Sequence, residues 1–173
     1  MKAPSGTGNP AQQTAQPVRT KVEELGVAGL SIKGGTTAQP ASVAELDEQK
    51  VRVYIRRFSK VAQAEMQKYN VPASVKMAQA IVESWAGQDA ATLSTNNHFG
   101  APLAGRNYDS AWESWRMHSM LLHERYATLF NHGNDYKKWA KGLQQAGYNN
   151  DRTYDKKIID IIEKYQLYLL DEQ

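Results

Sequence analysis

Hydrophobic residues recur every three or four positions from Asp47 onward, a spacing that places them on one face of an α-helix. Polar residues fill most of the positions between them. The pattern therefore predicts a long amphipathic helix with one buried stripe. Its apolar positions are Val51, Tyr54, Ile55, Phe58, Ala62, Met66 and Tyr69.

A second helical run follows directly. Asn70 is predicted to cap this helix, and Pro72 suits its first turn because an N–H in that turn has no partner within the helix. Gly87 is the predicted end. The positions expected to face inward are Val75, Ala78, Val82 and Trp85.

Three more runs complete the pattern. Residues 110–113 (Ser-Ala-Trp-Glu) form a predicted capping box, which opens a helix with Trp112, Trp115, Ser119, Leu122 and Tyr126 on one side. Residues 135–145 and 154–169 predict two further helices, and nothing alternates with the period of two that is typical of strands. We therefore predict an all-α single domain of about five helices over residues 47–173.

Residues 1–46 have a different composition, rich in Pro, Gly, Thr, Gln and Ala. Such a segment buries too little apolar surface to offset the entropy lost on ordering. We predict an extended low-complexity tail or tether here, separate from the helical domain. Residues 22–32 are more apolar, and we expect the tail to bind a protein partner.

Composition excludes several classes of protein. The 173 residues contain no cysteine, which rules out disulfides and thiolate metal sites. No run approaches the roughly 18 apolar residues that span a bilayer. The first ten residues lack the apolar core of a secretory signal, so we expect synthesis without a signal peptide. The net charge of +3 is only weak evidence for an anionic partner.

The strongest chemical signal lies in residues 71–100. Glu83 is a single acid near the end of an otherwise apolar helix, and a turn of Asn-Asn-His-Phe-Gly follows at residues 96–100. An acid against an apolar wall has a raised pKa and keeps its proton at neutral pH. It can then protonate a leaving oxygen, as in glycoside cleavage. The alternative is an exposed or salt-bridged carboxylate at a helix end.

The motif Ala-Gln-Ala-Ile-Val-Glu-Ser at residues 78–84, with the turn at 96–100, resembles the glucosaminidase family of bacterial peptidoglycan hydrolases. That family includes autolysins and the flagellar-rod muramidase. Further similar motifs are Tyr-Asp-Ser at 108–110, Asp-Tyr-Lys-Lys-Trp-Ala at 135–140 and Ala-Gly-Tyr at 146–148. The resemblance implies a lysozyme-like fold.

The resemblance also implies roles for individual residues. Glu83 corresponds to the general acid of the family, and Tyr148 to a tyrosine beside it, although a core aromatic is an equal alternative for Tyr148. The residues expected to contact substrate are Trp85, Asn97, Phe99, Tyr108 and Tyr154. Phe99 also fits the core, and Asn97 also suits bonding within the turn.

A second acid is harder to find. The resemblance implies one in a β-lobe between residues 100 and 108, but the seven residues at 101–107 contain no acid and are too few to build a lobe. Asp89, Asp109 and Glu113 are the remaining candidates, although Asp109 suits a turn and Glu113 suits the capping box. The acetamido group of the substrate is another candidate nucleophile.

The sequence predicts no metal and no cofactor. The four histidines at positions 98, 118, 123 and 132 have no ligand spacing, and there is no phosphate-binding loop or nucleic-acid motif. The lysines at 137, 138, 141, 156 and 157 are interpreted as solvated faces.

Two functional hypotheses follow. The first is a hydrolase that cleaves the β-1,4 bond after N-acetylglucosamine in peptidoglycan strands, at the periplasm or wall or within a phage-like or secretion assembly. The second is a degenerate wall-binding or structural component of a phage-tail-like injection or conjugation machine, held by its N-terminal tail. The retained Glu83, Asn96, Asn97 and Tyr148 favour the first hypothesis. The missing lobe and the expected lack of a signal peptide favour the second.

Overall fold

The computed structural model describes residues 45–172, which form α-helices and short 3-10 helices. The α-helices are α1 (Glu48–Tyr69), α2 (Ala73–Ser84), α3 (Ala90–Thr95), α4 (Ala111–Arg125), α5 (Tyr136–Gln145) and α6 (Tyr154–Tyr165). The 3-10 helices are Ala101–Leu103, Ala127–His132 and Leu167–Asp171. No strand occurs between residues 45 and 172, so the predicted all-α class is confirmed.

The prediction missed α3, a helix too short to show a periodic apolar pattern. Its signal is the cap instead, because Asp89 accepts a hydrogen bond from the Thr92 N–H at 3.1 Å. The predicted tail, including residues 22–32, lies outside the described residues apart from its last two. Leu46 is one of these two, and it is buried in the core. None of the helices in residues 45–172 has both the length and the apolar content that crossing a membrane requires.

Helix α2 is the centre of the domain. Every residue from Ala73 to Ile81 is buried, and so is Ser84, whereas Val82 and Glu83 remain partly exposed. The helix packs against α1, α5, α6 and the C-terminal 3-10 helix. The single predicted stripe therefore underestimated the burial of α2, because neighbours cover it on nearly every side. Its one open face lies at its C-terminal end, beside Glu83.

The first turn of α2 is capped from the far end of the chain. Pro72 occupies the capping position and makes no side-chain cap hydrogen bond. Instead, the Asp171 carboxylate accepts hydrogen bonds from the Ser74 N–H, at 2.8 Å, and from the Ser74 hydroxyl. A negative charge at this end also interacts favourably with the helix dipole. The C-terminal 3-10 helix therefore helps to hold the helix that carries Glu83.

Three details differ from the prediction. Asn70 ends α1 in a left-handed conformation (φ 55°), with its N–H donating to Met66 O, and Pro72 instead occupies the capping position of α2. Trp112 is half-exposed, with the Arg116 guanidinium 4.3 Å from its ring centroid. Leu169 is also half-exposed, because α6 ends at Tyr165 and the chain then turns into the 3-10 helix.

Replacing Asp171 with alanine removes the only side-chain acceptor at the start of α2 among the described hydrogen bonds. We expect Asp171→Ala to lower the free energy of unfolding by about 1–2 kcal/mol, measured by urea denaturation. Glu172→Ala is the control, because Glu172 is exposed and next in the chain. Equal stability of the two variants would show that the Asp171 contact contributes nothing.

Candidate active site

An open groove of about 240 Å³ lies at the exposed end of α2. Glu83 and Trp85 form one side, the backbone at Gly100 and Ala101 forms another, and the start of α6 closes the third. The remaining lining residues are Val82, Asn149, Asp151, Tyr154 and Lys157. The groove is thus assembled from the end of the central helix and two loops that pack onto it.

Glu83 places its carboxyl group against aromatic side chains. The Tyr154 hydroxyl donates a hydrogen bond to Glu83 Oε1 at 2.6 Å, and the Tyr148 hydroxyl lies beside the same carboxyl group. Burial raises the pKa of Glu83 to about 8, because the loss of water outweighs the stabilisation of the carboxylate by the two tyrosine hydroxyls. The group therefore carries a proton at neutral pH while its side chain still reaches the groove.

The two tyrosines form a stacked pair behind Glu83. Their ring centroids are 5.5 Å apart, and both rings are almost fully buried. The Tyr154 hydroxyl accepts a hydrogen bond from Gln79 Nε2 at 3.2 Å, which leaves its own proton for Glu83. The Tyr148 hydroxyl is joined to His118 Nε2 at 2.8 Å. Burial and the proximity of Glu83 raise the pKa of each tyrosine well above its ordinary value, so both stay protonated.

The chain leaves α2 through a strained turn. Trp85, Ala86 and Gly87 all adopt positive φ angles, of 52°, 54° and 76°. Left-handed backbone is unfavourable for Trp and Ala. The Ser84 hydroxyl holds the turn, because it donates to Ala80 O at 2.6 Å and accepts from the Gly87 N–H at 2.9 Å. This conformation brings Trp85 to the groove beside Glu83.

Gly100 leaves space for the Glu83 carboxyl group. Its φ is 55° with ψ −135°, and a Cβ at this position would lie 3.1 Å from Glu83 Oε2. Only glycine fits this backbone conformation without strain. Asn97 fixes the turn that presents Gly100, because its amide donates to Gly100 O and accepts from the Phe99 N–H, both at 2.9 Å.

The structure brings four of the seven predicted site residues together, namely Glu83, Trp85, Tyr148 and Tyr154. Phe99 is a correction, because its ring is fully buried between His118 and Trp115 and offers no face to a sugar. Tyr108 is a second correction.

The Tyr108 ring lies in the core and its hydroxyl is buried without a hydrogen-bond partner. Asn97 is partly exposed, and both ends of its amide bind the backbone of its own turn, so its contact with substrate stays a prediction. The alternatives given for Phe99 and Asn97, core packing and turn formation, describe their contacts.

None of the three predicted second acids lines the groove. Asp89 caps α3. The Glu113 carboxylate accepts from the Asp109 N–H at 2.9 Å, and the Ser110 hydroxyl accepts from the Glu113 N–H at 3.3 Å, which closes the start of α4. Glu113 thus serves the predicted helix cap.

Asp151 is the acid besides Glu83 that lines the groove. One of its oxygens forms an ion pair with Lys157 Nζ at 2.6 Å, and the other accepts from the Thr153 N–H and hydroxyl, both at 2.8 Å. The hydrogen bond from Lys157 is the largest of the effects that lower the pKa of Asp151 to about 2. Lys157, interpreted from sequence as a solvated residue, is a partly buried groove residue.

Sequence reasoning missed Gln79, Gly100 and the Asp151–Lys157 pair as parts of the site. Gln79 had a readable signal, since it lies four residues before Glu83 and therefore on the same face of α2. The pair had none, because an acid and a lysine six residues apart meet only through the turn that opens α6. The described residues contain no group of three or more acids, histidines or cysteines able to hold a metal.

The alanine substitution at Gly100 tests how closely the turn approaches Glu83. We expect Gly100→Ala to lower the free energy of unfolding by about 1–3 kcal/mol, from backbone strain. It should also raise the pKa of Glu83, because the methyl group excludes more water from Oε2. The pKa is measured by NMR titration of ¹³C-labelled glutamate carboxyls.

Gly105→Ala is the matched control. Gly105 also has a positive φ (79°), but a Cβ there would meet nothing within 4 Å. This variant should therefore show the strain without any change in the pKa of Glu83. The same pKa shift in both variants, or in neither, would contradict the role given to Gly100.

Comparison with known proteins gives consistent matches. The family model named glucosaminidase, described as mannosyl-glycoprotein endo-beta-N-acetylglucosaminidase, matches residues 59–167. The exo-glucosaminidase LytG of Bacillus subtilis is 30% identical over 178 residues, covering 83% of this chain and 62% of the relative. This chain thus spans less than two thirds of that curated relative.

Two solved structures share the fold. The catalytic domain of the autolysin Auto from Listeria monocytogenes aligns with a TM-score of 0.64 at 23% identity, covering 72% of this chain and 89% of that domain. The glycoside hydrolase domain of Salmonella typhimurium FlgJ aligns with a TM-score of 0.57 at 24% identity, covering 67% and 88%. The predicted lysozyme-like fold is therefore confirmed.

Proposed function

This chain belongs to the glucosaminidase family, and on that premise we propose that it hydrolyses peptidoglycan, cleaving the β-1,4 bond after N-acetylglucosamine. The observation that carries the proposal is the state of Glu83. Its carboxyl group faces an open groove, and its raised pKa keeps it protonated at neutral pH. Such a group is a general acid for glycoside cleavage.

In the first step, Glu83 gives its proton to the glycosidic oxygen as the C1–O bond breaks, and the leaving sugar departs as an alcohol. The carboxylate left behind needs hydrogen-bond donors, because it forms where water is scarce. Tyr154 supplies one at 2.6 Å, and the neighbouring Tyr148 hydroxyl is placed to supply another. The tyrosine pair therefore stabilises the charge that develops on Glu83 in the transition state.

The second role, that of the nucleophile that attacks C1, is assigned to the substrate itself. Asp151 is unsuited to act as a nucleophile or base, because both of its oxygens are already bound by Lys157 and Thr153. The 2-acetamido oxygen of N-acetylglucosamine can attack C1 instead and form an oxazolinium ring. Water then attacks C1 and passes its proton to the Glu83 carboxylate, which restores the acid and gives retention of configuration. An N-acetylglucosamine thiazoline, which mimics this intermediate, should inhibit the protein.

Two variants test this division of roles. Glu83→Gln should abolish clearance of purified peptidoglycan, because the amide cannot donate the required proton. Asp151→Asn should keep at least a tenth of the wild-type rate, since the acid that it removes has no chemical step to perform. New reducing ends should carry N-acetylglucosamine. Undiminished clearance by Glu83→Gln would overturn the assignment of the acid, and complete loss in a folded Asp151→Asn would overturn the substrate-assisted step.

The pH dependence has a definite direction. Glu83 must be protonated to act, so hydrolysis should fall as the pH rises through about 8, the pKa of that carboxyl group. A rate that instead increases steadily from pH 7 to pH 10 would be incompatible with a neutral acid at this position.

The same shift predicts the stability of Glu83→Gln. The folded chain holds this proton up to about pH 8, whereas the unfolded chain releases it near pH 4.5. Wild-type stability therefore falls between those two pH values, and the Gln variant escapes that fall. We expect Glu83→Gln to be more stable than wild type by at least about 1 kcal/mol at pH 9 and to match it at pH 4. Denaturation at the two pH values measures this difference.

We further propose that residues 1–46 tether the domain within a larger phage-like or secretion assembly at the wall or periplasm. The support is compositional, since these residues are poor in large apolar side chains. Deleting residues 1–44, which spares the buried Leu46, should leave the domain folded and active on isolated peptidoglycan. Retained incorporation of the truncated protein into an assembly would contradict the tether. A purely structural wall-binding role requires wild type and Glu83→Gln to be equally inactive.

A further inference from the structure

Lys76 is buried completely, two turns before Glu83 on α2. Its Nζ donates a hydrogen bond to Trp115 O at 2.6 Å and lies 3.3 Å from His118 Nδ1. The rings of Phe99 and Trp115 cover it, with centroids 4.9 and 5.7 Å away. None of the ion pairs found in residues 45–172 includes Lys76.

The charged groups around Lys76 come from two neighbouring helices. Glu65 of α1 favours the ammonium form, but its carboxylate is already bound by Arg116 Nε at 2.8 Å and by the Ser119 hydroxyl at 2.7 Å. Arg116 of α4 opposes the ammonium form. Burial outweighs both and lowers the pKa of Lys76 to about 7. The amine therefore changes charge close to neutral pH.

A line of polar side chains leads from Lys76 to Glu83. Lys76 meets His118 at Nδ1, and the opposite ring nitrogen, Nε2, meets the Tyr148 hydroxyl at 2.8 Å. The Tyr148 hydroxyl in turn lies beside the Glu83 carboxyl group, and each of the two groups affects the pKa of the other. The His118 ring is held flat against Phe99, with centroids 3.9 Å apart and planes within 5°.

The His118 ring carries one N–H, which is either on Nδ1 or on Nε2. Burial and the neighbouring Lys76 keep its pKa well below the ordinary value, so the ring is neutral. A neutral imidazole carries one N–H and one acceptor nitrogen, and the partner of either nitrogen decides which is which.

We propose that Lys76 is a positioning residue that sets the direction of this hydrogen-bond chain and thereby tunes Glu83. An ammonium group has donors only, so His118 Nδ1 must accept from it and Nε2 must carry the proton. His118 then donates to the Tyr148 oxygen, and the Tyr148 O–H is left to donate to Glu83. A neutral Lys76 lifts this constraint, because Nδ1 can then carry the proton while Nε2 accepts from Tyr148.

The role of Lys76 in turnover rests on the proposed function. As Glu83 loses its proton to the substrate, the ammonium form of Lys76 ensures that Tyr148 donates to the carboxylate, alongside Tyr154. Tyr148, Tyr154 and the Asp151–Lys157 ion pair, which has no net charge, are the other titratable groups beside Glu83. Lys76 and Glu83 are therefore coupled, and each one in its charged form favours the charged form of the other.

The tautomer of His118 gives a direct test that needs no substrate. In the full chain, ¹⁵N NMR should find the proton on Nε2 at pH 5.5, where Lys76 is charged. In Lys76→Met the preference for Nε2 should be lost or reversed. Lys60→Met, on the exposed face of α1, is the control for loss of one positive charge. An unchanged tautomer in Lys76→Met would overturn the proposal, because mere packing by Lys76 has no effect on the N–H position.

The pH dependence of the tautomer gives a second test, which keeps Lys76 in place and so decides the question even if Lys76→Met fails to fold. Glu83→Gln is the chain to use, because the side chain at position 83 is then neutral at every pH. In this variant the preference for Nε2 should weaken as the pH rises through about 7, where Lys76 loses its charge. A preference that stays constant from pH 5.5 to pH 9 would contradict the role given to Lys76.

Kinetics separate this inference from the proposed function. For a folded Lys76→Met, kcat on peptidoglycan should fall about tenfold with KM unchanged, the pattern expected when an interaction made only in the transition state is removed. An unchanged kcat would show that Lys76 has no effect on turnover. A wild-type protein that cleaves nothing would end the proposed function, and the tautomer measurement would still stand by itself.

Discussion

The desolvation of one carboxyl group is the constraint on which this site depends. Glu83 sits at the only open face of a helix that is otherwise buried, so its charged form is costly and its proton is held at neutral pH. Two tyrosine hydroxyls compensate part of that cost without supplying a charge. A lysine in their place would stabilise the carboxylate so well that Glu83 would no longer be an acid at pH 7. The choice of neutral donors keeps the group reactive.

The surrounding architecture maintains this balance. Helix α2 is held at both ends. Asp171, from the far end of the chain, binds its first turn, and the left-handed turn at Trp85–Gly87 follows its last residue. The backbone strain in that turn is offset by hydrogen bonds of Ser84 and by the burial of most of α2. Rigidity of the helix therefore determines where the carboxyl group lies relative to Tyr154. Small shifts of α2 would change a 2.6 Å hydrogen bond, and with it the proton affinity of Glu83.

Sequence was sufficient for the fold class and for finding Glu83, the carboxyl group that the structure places beside the groove. The apolar spacing of α1, α5 and α6 is regular enough to place their buried faces, and Glu83 is conspicuous because its helix holds no other acid. Sequence was insufficient where an aromatic side chain can either pack in the core or contact a substrate. Phe99 and Tyr108 lie close in sequence to residues that line the groove, yet only the structure shows that their side chains are buried.

Contacts between distant parts of the chain also could not be predicted from the sequence. Lys76 looks like a polar interruption of an apolar helix, and only the structure reveals that its side chain reaches Trp115 and His118 of α4. The same holds for Gly100, whose approach to Glu83 depends on how the turn at residues 96–100 folds back. Periodicity reports which face of a helix is buried, and it carries no information about which polar groups meet inside.

The short segment at residues 101–107 determines how a polymer can enter the groove. A single 3-10 turn stands there, and its first residue, Ala101, lines a groove that remains open to solvent. Under the proposed function, an open groove of this kind would admit a strand from the side, without the need for a free chain end. A cross-linked polymer would then be open to cleavage within its strands. The same openness would let the two product strands separate after each cut, which would favour scattered breaks over continuous travel along one strand.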